Sequence, residues 1–412
     1  MSEFRSFGLV IVLFVGVGGC TSLLSQDIVK APNAGKTVRQ LGDAEEDALE
    51  DQFITRQERV DVGPPAASLS TWIVEAWSVN VDARLRESPE PGDDAGFIES
   101  FQDEYDQAVG ERVNLCILNS TTLDVLAAAA AGRGGRRMHF QFGMLTSSRE
   151  LAATRPSAAA VGTGLKLPRG TIFLLHGIGD RKDRVPYLLW SRILAQAGFR
   201  TVLVDLRGHG RSTGRYMTYG VTESHDLRQL LDAFYDRGLI YGPVAAFGVS
   251  YGAATAIQWA AIDPRIKAVV AFEPFCTLRQ AVTDFAPVVL GGLSFLATQP
   301  LLRAATDSAA ALAGFDPDQA SPLEAIQHTR APILLVHGTD DHHLPAHHSE
   351  QLHDAAPDHS DLYLVEGANH LTLWIHDLTD VRQHVNEWLD QHFAPPPPPS
   401  TRPIPALAAR HN

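Results

Sequence analysis

Between residues 170 and 393, short apolar runs alternate with longer stretches of helical periodicity. Each run is bounded by Gly, Pro or Asp and is apolar without alternation, which is the pattern of strands buried on both faces of a parallel sheet. The runs are TIFLLHG, TVLVDLRG, PVAAFGVS, IKAVVAFEPF, PILLVHG and DLYLVEG. The alternation predicts an α/β domain with a doubly wound, mostly parallel sheet.

The segments between the runs carry apolar residues at helical spacing. Leu227, Leu230, Leu231 and Phe234 form one such stripe, which would pack a helix onto the sheet. Residues 276–330 interrupt the alternation with helical stretches broken by Gly and Pro. We expect this segment to be a short helical lid inserted into the domain.

Residues 1–20 hold the apolar run FGLVIVLFVGVGG and then Cys20. The run is shorter than the roughly 20 residues of a spanning helix but suits the core of an export signal. Small residues before a lone cysteine resemble the bacterial lipobox, which implies that Cys20 is the lipidated first residue of the mature chain. An uncleaved membrane anchor, ordinary secretion or no export are the alternatives.

That resemblance implies an extracytoplasmic lipoprotein held at a membrane by its lipid. Because Thr21 rather than Asp follows Cys20, it would be at the outer membrane, facing the periplasm, if the cell is Gram-negative.

The rest of the chain divides by composition. Residues 21–65 are polar and acidic and predict a solvated tether. Residues 66–393 form the predicted domain, in which 66–165 is an N-terminal elaboration that supplies the first strands. Residues 394–412 begin with a proline run and predict a disordered tail.

Charge narrows the range of partners. The net charge of −14, from 34 Lys and Arg against 48 Asp and Glu, argues against a nucleic-acid binder, which needs a basic face. We expect a small-molecule partner, and the oligomeric state stays open. The three cysteines cannot form a disulfide framework, although Cys116 and Cys276 could pair in an oxidising compartment.

GVSYG, residues 248–252, is the strongest motif because it joins an apolar strand to a helical stretch. That context is the one a nucleophile elbow requires: Ser250 sits on a sharp turn that projects its hydroxyl from the sheet. Gly248 and Gly252 would keep neighbouring atoms clear of the turn.

A serine hydroxyl needs a base, and the base needs a carboxylate to hold its tautomer. His370 follows the run DLYLVEG, while Asp340 and Asp341 follow PILLVHG. Since the carboxyl ends of parallel strands share one edge of a sheet, we expect these groups to meet Ser250 there.

Taken together, GVSYG, HGTDDHHLP and VDLRGHGRSTG resemble the α/β-hydrolase superfamily, in its monoacylglycerol-lipase-like and serine-aminopeptidase-like branches. The resemblance implies Asp341 as the acid, with Asp340 as its rival. It also implies an oxyanion hole from the backbone N–H groups of Tyr251 and Ile178. His176 and the residues of the RGHG loop (Asp205, Arg207 and His209) would be structural.

We therefore expect a serine hydrolase that cleaves carboxylic esters with a small or medium acyl group. An aminopeptidase or oligopeptidase, an acyltransferase or thioesterase, and a catalytically silent binding module are the alternatives. The histidines of HHLPAHH, residues 342–348, could suggest a metal site. Adjacent histidines are expected to point to different faces, so we predict no metal and no cofactor.

Overall fold

The computed structural model describes residues 25, 28–36, 54, 56–75, 168–290, 294–295, 297–374, 376 and 378–392. Within these ranges a single eight-stranded sheet forms the centre of the molecule. Its strands are β1 (Arg56–Val62), β2 (Ala67–Val74), β3 (Thr171–Leu175), β4 (Arg200–Asp205), β5 (Val244–Val249), β6 (Ile266–Phe272), β7 (Ile333–Gly338) and β8 (Ser360–Val365).

The strands lie in the order β1-β2-β4-β3-β5-β6-β7-β8. β2 runs antiparallel to both of its neighbours, whereas every pair from β4 to β8 is parallel. The helices between them are α1 (Val185–Gln196), α2 (Val221–Asp236), α3 (Tyr251–Ile262), α4 (Leu278–Leu290), α5 (Gln299–Ala313), α6 (Pro322–His328), α7 (His347–Ala355) and α8 (Leu378–His392).

β3 shows why these runs are apolar at every position. Phe173 and Leu175 join the hydrophobic cluster that includes α2 and α3, while Ile172 and Leu174 join the cluster on the other face, with α1 and α8. Successive side chains of a strand point to opposite faces, so a strand covered by helices on both sides needs apolar residues throughout. The prediction of a doubly wound, mostly parallel sheet is confirmed.

The N-terminal prediction needs correction. Residues 56–62 were assigned to the acidic tether, but they form β1 and pair along their whole length with β2. Residues 28–36 also contact the domain: the N–H of Asn33 donates to the carbonyl of Gly208 over 2.9 Å. The mixed polar pattern of β1 belongs to a strand at the edge of the sheet, where one side lacks a neighbouring strand.

Several predictions fall outside the described residues. They are the signal segment with Cys20, residues 37–53 of the predicted tether, residues 76–165 of the predicted N-terminal elaboration with Cys116, and the proline-rich tail. No helix among the described residues is long and apolar enough to cross a membrane.

Candidate active site

Ser250 lies in the sharp turn between β5 and α3. Its backbone has φ 53° and ψ −115°, a strained conformation that residues with a side chain rarely adopt. The Ser250 N–H holds the turn by donating to the carbonyl of Phe272, at the end of β6, over 2.7 Å. The serine therefore stands at the carboxyl edge of the sheet and at the N-terminus of α3, where negative charge is stabilised.

Two glycines permit this turn because the backbone passes too close to other chain segments for a side chain. A Cβ on Gly248 would lie 2.3 Å from the carbonyl oxygen of Gly252. A Cβ on Gly252 would lie 2.4 Å from the oxygen of Leu175 and 2.6 Å from that of His176. Steric exclusion thus explains both outer positions of the GVSYG motif.

Three side chains distant in sequence meet at this edge. The hydroxyl of Ser250 donates to Nε2 of His370 over 3.0 Å, and Nδ1 of His370 lies 2.6 Å from Oδ2 of Asp341. The Asp341 carboxylate is fully buried, whereas the His370 side chain keeps 13% of its surface exposed. The arrangement lets a proton pass from the hydroxyl to the imidazole while the carboxylate holds the ring.

Asp341 is held in its ionised form. Burial alone would raise its pKa, but the charge of His370 and hydrogen bonds from His337, His370 and the Leu344 N–H outweigh burial and lower the pKa below its usual range. Oδ1 accepts the N–H groups of His343 and Leu344 over 2.8 and 2.9 Å. The carboxylate therefore has a fixed orientation and a negative charge to offer His370.

Backbone contacts bring the two loops together. A Cβ on Gly338, the last residue of β7, would lie 2.2 Å from the oxygen of Ala368. The N–H of Asp340 donates to that same oxygen over 2.9 Å, and the Asp340 side chain is exposed. The structure thus sets Asp341, rather than Asp340, against the imidazole.

The two backbone N–H groups expected to form an oxyanion hole are available. Neither the N–H of Tyr251 nor that of Ile178 donates to another described residue. Gly177, next to Ile178, lies close to the serine, since a Cβ on it would be 3.8 Å from the Cβ of Ser250. The N–H of Gly177 itself donates to the Tyr187 hydroxyl over 2.9 Å, which anchors this loop.

Comparisons with known proteins agree with this architecture. Residues 166–313 match a family model described as serine aminopeptidase, S33. The esterase Pf2001 of Pyrococcus furiosus superposes with a TM-score of 0.51, covering 88% of this chain and 99% of that one at 16% identity. The chain has the α/β-hydrolase fold. The match to the family model supports a hydrolase of that superfamily, and the likeness to the esterase supports the fold.

Two curated proteins are similar in sequence. The Bacillus subtilis protein YqkD, itself described as uncharacterized, is 26% identical over 222 residues, which are 53% of this chain and 71% of that protein. The human protein ABHD12B is 25% identical over 189 residues, or 45% of this chain and 49% of the human one. The chain thus spans about half the length of the human relative.

Glu273 is a residue at this site that the sequence analysis missed. It directly follows β6, it is fully buried, and its Oε2 lies 3.6 Å from Nδ1 of His370. The apolar run IKAVVAFEPF carries this acid at its end, at the same edge as the acid after β7. A carboxyl residue at the end of a buried strand was the signal that could have found it.

The segment predicted as a lid reaches the site through aromatic rings. The ring of Phe285, on α4, lies 5.8 Å from that of His343, and the His343 ring lies 5.5 Å from that of His370. Burial and the charge of His370 lower the pKa of His343, which favours the neutral form of its ring beside the imidazole of His370.

A second histidine cluster joins α4 to α7. Nε2 of His347 and Nε2 of His348 lie 3.0 and 3.2 Å from Oδ2 of Asp284. The expectation that adjacent histidines point apart is wrong here, because both rings turn to the same carboxylate. These three groups have the ligand types of a metal site.

The tautomer of His348 argues against a metal ion bound by Asp284, His347 and His348. The N–H of Cys276 donates to Nδ1 of His348 over 3.2 Å, so Nδ1 is an acceptor and Nε2 carries the proton. A protonated Nε2 has no free lone pair for a cation, and it lies 3.2 Å from Oδ2 of Asp284 without a hydrogen bond to any described residue. Cys276 is a buried free thiol, while Cys116, its possible disulfide partner, lies outside the described residues.

The RGHG loop is structural, as expected. Asp205 lies 2.6 Å from Nζ of Lys182, both fully buried, and Arg207 donates twice to the carboxylate of Asp226 over 2.7 and 2.6 Å. Nε2 of His176 accepts the N–H of Leu206 over 2.9 Å. Both nitrogens of His176 are engaged, since Nδ1 lies 2.8 Å from the Gly177 carbonyl, which leaves neither free for acid-base chemistry.

Proposed function

We propose that this protein is a serine hydrolase that cleaves carboxylic esters through an acyl-enzyme at Ser250. The observation that carries the proposal is the continuous chain from the Ser250 hydroxyl through His370 to Asp341, over 3.0 and 2.6 Å, on a strained turn. This geometry fits the roles of nucleophile, base and orienting acid.

In the first half-reaction, His370 takes the hydroxyl proton at Nε2 as the Ser250 oxygen attacks the ester carbonyl. The carbonyl oxygen becomes an oxyanion, which the N–H groups of Tyr251 and Ile178 stabilise. The tetrahedral intermediate then collapses, the bond to the alcohol oxygen breaks, and His370 returns its proton to the leaving alcohol. Asp341 stays ionised and balances the positive charge of the imidazolium.

In the second half-reaction, water takes the place of the alcohol. His370 accepts a proton from water as the hydroxide adds to the acyl-enzyme, and it then protonates Ser250 as the acid leaves. The products are one carboxylic acid and one alcohol for each ester and water consumed.

An ester with a small or medium acyl group suits the side chains beside the triad. Ile178 keeps 45% of its surface exposed in the loop next to Ser250, and Phe285 approaches from α4 behind His343. Apolar surface exposed next to a reacting centre favours an acyl chain over a charged group.

The decisive experiment replaces the nucleophile. Ser250→Ala should lose turnover of p-nitrophenyl acetate by about 10⁴-fold or more and lose labelling by a fluorophosphonate probe. Ser191→Ala is a matched control, since Ser191 is a fully buried serine whose hydroxyl donates within α1 to the Leu188 carbonyl. Wild-type hydrolysis by folded Ser250→Ala would reject the proposal and favour a silent binding module.

A serine peptidase acting on amino-terminal residues is the second candidate, because the matching family model is described as a serine aminopeptidase. Turnover of aminoacyl amides above that of matched esters would select this candidate. Accumulation of a new ester when an alcohol acceptor is added would instead select an acyltransferase. Ser250→Ala abolishes all three activities, so the panel separates substrates and not nucleophiles.

We also propose that Cys20 carries the lipid that holds the enzyme at an extracytoplasmic membrane, which the run of residues 7–19 supports. Cys20→Ser should move the protein from the membrane fraction to the soluble fraction and abolish incorporation of labelled palmitate. Cys276→Ser is the matched control and should stay membrane-bound. A Cys20→Ser protein that remains in the membrane fraction would contradict lipid anchoring.

A further inference from the structure

Glu273 places a second carboxyl group beside one ring nitrogen of His370. Its Oε2 lies 3.6 Å from Nδ1, the same atom that lies 2.6 Å from Oδ2 of Asp341. The two acids come from different strands, since Glu273 follows β6 and Asp341 follows β7. His370 thus faces two acids through a nitrogen that carries a single proton.

The surroundings of Glu273 are costly to stability. Both of its carboxyl oxygens are buried, and neither forms a hydrogen bond with a described residue. Its backbone has φ 52° and is fixed by the donation of its N–H to the Val336 carbonyl over 2.8 Å. Buried unpaired polar atoms and left-handed backbone each destabilise a fold, and such features cluster at functional sites.

We propose that Glu273 is a second positioning acid of the triad, able to accept the Nδ1–H of His370 in place of Asp341. The inference rests on the proposed serine-hydrolase function. A movement of about 0.7 Å would bring Oε2 from 3.6 Å to hydrogen-bond distance, because such bonds have N···O distances of about 2.9 Å.

Charge explains how two acids share one imidazole. Burial raises the pKa of Glu273 well above its usual value, and the negative charge of Asp341 raises it further. Among the described residues, the ionisable groups near this pair include His370 and His337, whose Nε2 lies 3.3 Å from Asp341. They also include His343 and His348, whose pKa values the charge of Asp341 raises. With Asp341 present, burial and that charge both raise the pKa of Glu273. Without Asp341 only burial remains, so the pKa of Glu273 falls and its ionised form is reached more easily as the pH rises.

The test compares Asp341→Ala with and without Glu273→Gln. Loss of the orienting acid costs about 10⁴-fold in kcat in a triad with no substitute. We expect Asp341→Ala to lose only about 10- to 100-fold, and the double variant to reach the full loss. The kcat of Asp341→Ala should also rise with pH through an added ionisation that the wild type and the double variant lack.

Glu273→Gln alone should lower kcat by less than about five-fold, because Asp341 still holds the ring. Asp341→Ser is a second single variant, since its hydroxyl can still accept the loop N–H groups of His343 and Leu344 if Asp341→Ala does not fold. Glu223→Gln, added to Asp341→Ala, is the matched control. Glu223 is equally buried, but its carboxylate caps α2 through Thr218 and Gly220, so this pair should match Asp341→Ala in kcat.

An NMR measurement tests the same contact without substrate. The Nδ1–H proton of His370 should keep its low-field resonance in Asp341→Ala at high pH and lose it in the double variant. Equal kcat values for Asp341→Ala and the double variant, together with loss of the resonance in both, would overturn the role of Glu273. Activity that persists in Ser250→Ala would instead overturn the serine mechanism, and this inference with it.

Discussion

Two arrangements of a nucleophile, an imidazole and a carboxylate occur in this molecule, and the distances between their side chains are similar. Ser250, His370 and Asp341 are linked over 3.0 and 2.6 Å. In the second arrangement, the Cys276 sulfur lies 3.1 Å from Nδ1 of His348, whose Nε2 lies 3.2 Å from Asp284. Distances alone would make both candidates for catalysis.

Their surroundings separate them. Burial raises the pKa of the Cys276 thiol to about 11, and burial together with the charge of His347 lowers the pKa of His348 to about 3. The charge of Asp341 opposes the shift of the His348 pKa but is outweighed by burial. A thiol that stays protonated beside an imidazole that resists protonation makes neither a nucleophile nor a base. The comparison shows that an exposed imidazole, a strained turn and an ionised carboxylate distinguish the arrangement at Ser250 from the one at Cys276.

Removing each imidazole gives the largest expected difference. His370→Ala should lower kcat/KM by about 10⁴-fold or more, since both proton transfers pass through this ring. His348→Ala should keep kcat/KM within about ten-fold while lowering the melting temperature, because the loss is one of packing. Ester hydrolysis by both folded proteins checks this, and equal losses of kcat/KM would mean that the Cys276 arrangement takes part in catalysis.

The next largest effect concerns the strained turn at Ser250, which the Cys276 arrangement lacks. Gly252→Ala would force a Cβ to within 2.4 Å of the Leu175 oxygen, so the backbone around Ser250 must move. We expect a loss of about 3 kcal/mol in unfolding free energy and of more than about ten-fold in kcat.

Gly314→Ala is the control for that substitution. Gly314 ends α5 with φ 78°, and a Cβ there has no heavy atom within 4 Å. It should cost about 1 kcal/mol and leave kcat unchanged. Denaturant unfolding and ester hydrolysis of both variants provide the measurement, and an unaltered kcat in Gly252→Ala would show that the turn tolerates the strain.

A smaller effect is the pH dependence that His348 adds to stability. Its folded pKa of about 3 lies below the ordinary value of 6.5, so the unfolded chain binds the extra proton between those values. The stability contributed by neutral His348 is complete above pH 6.5 and is lost as the pH falls towards 3. Between pH 7 and pH 5 this loss should be about 2 kcal/mol.

His348→Gln isolates that contribution. The difference in unfolding free energy between pH 7 and pH 5 should shrink by about 2 kcal/mol in the variant, while His176, whose pKa is also lowered to about 3, contributes equally to both proteins. Urea titrations at the two pH values measure the change. An identical pH dependence in both proteins would indicate that Asp284 keeps His348 charged.

The smallest expected effect is that of the thiol. Cys276→Ser should change ester hydrolysis by less than about two-fold and stability by about 1 kcal/mol, because Cys276 only fills a buried position. Iodoacetamide should not alkylate Cys276 in the folded protein at neutral pH, as mapped by peptide mass spectrometry, and should do so in urea. Fast alkylation of the native protein would show that the Cys276 thiol is reactive and accessible to solvent.

Local patterns predicted most of the architecture. The apolar runs corresponded to β3 to β8, and the stripe at residues 227–234 lies on α2. Sequence reasoning failed where the pattern was weak. β1 has a mixed polar sequence because it lies at the edge of the sheet. Its pairing with β2 makes it a strand, and this pairing cannot be recognised from the residues of β1 alone.

The site was predictable as far as strand ends reveal position. Ser250 and Asp341 follow buried strands, and His370 follows β8, which was expected to be buried but is partly exposed because it lies at the edge of the sheet. Parallel strands deliver all three residues to one edge. Glu273 satisfied the same rule but belonged to no recognised motif. The convergence of His347 and His348 on Asp284 depends on how α4 packs against α7, which no local pattern encodes.

The sequence by itself determined the order of strands and helices from β3 onwards and the candidate nucleophile, because hydrophobic periodicity and glycine sterics act over a few residues. Only the tertiary structure decided which acid faces His370 and which histidines are neutral. It also decided which of the two similar side-chain arrangements is open to a substrate. Those properties depend on distances and burial between segments far apart along the chain, and electrostatic interactions change steeply with both.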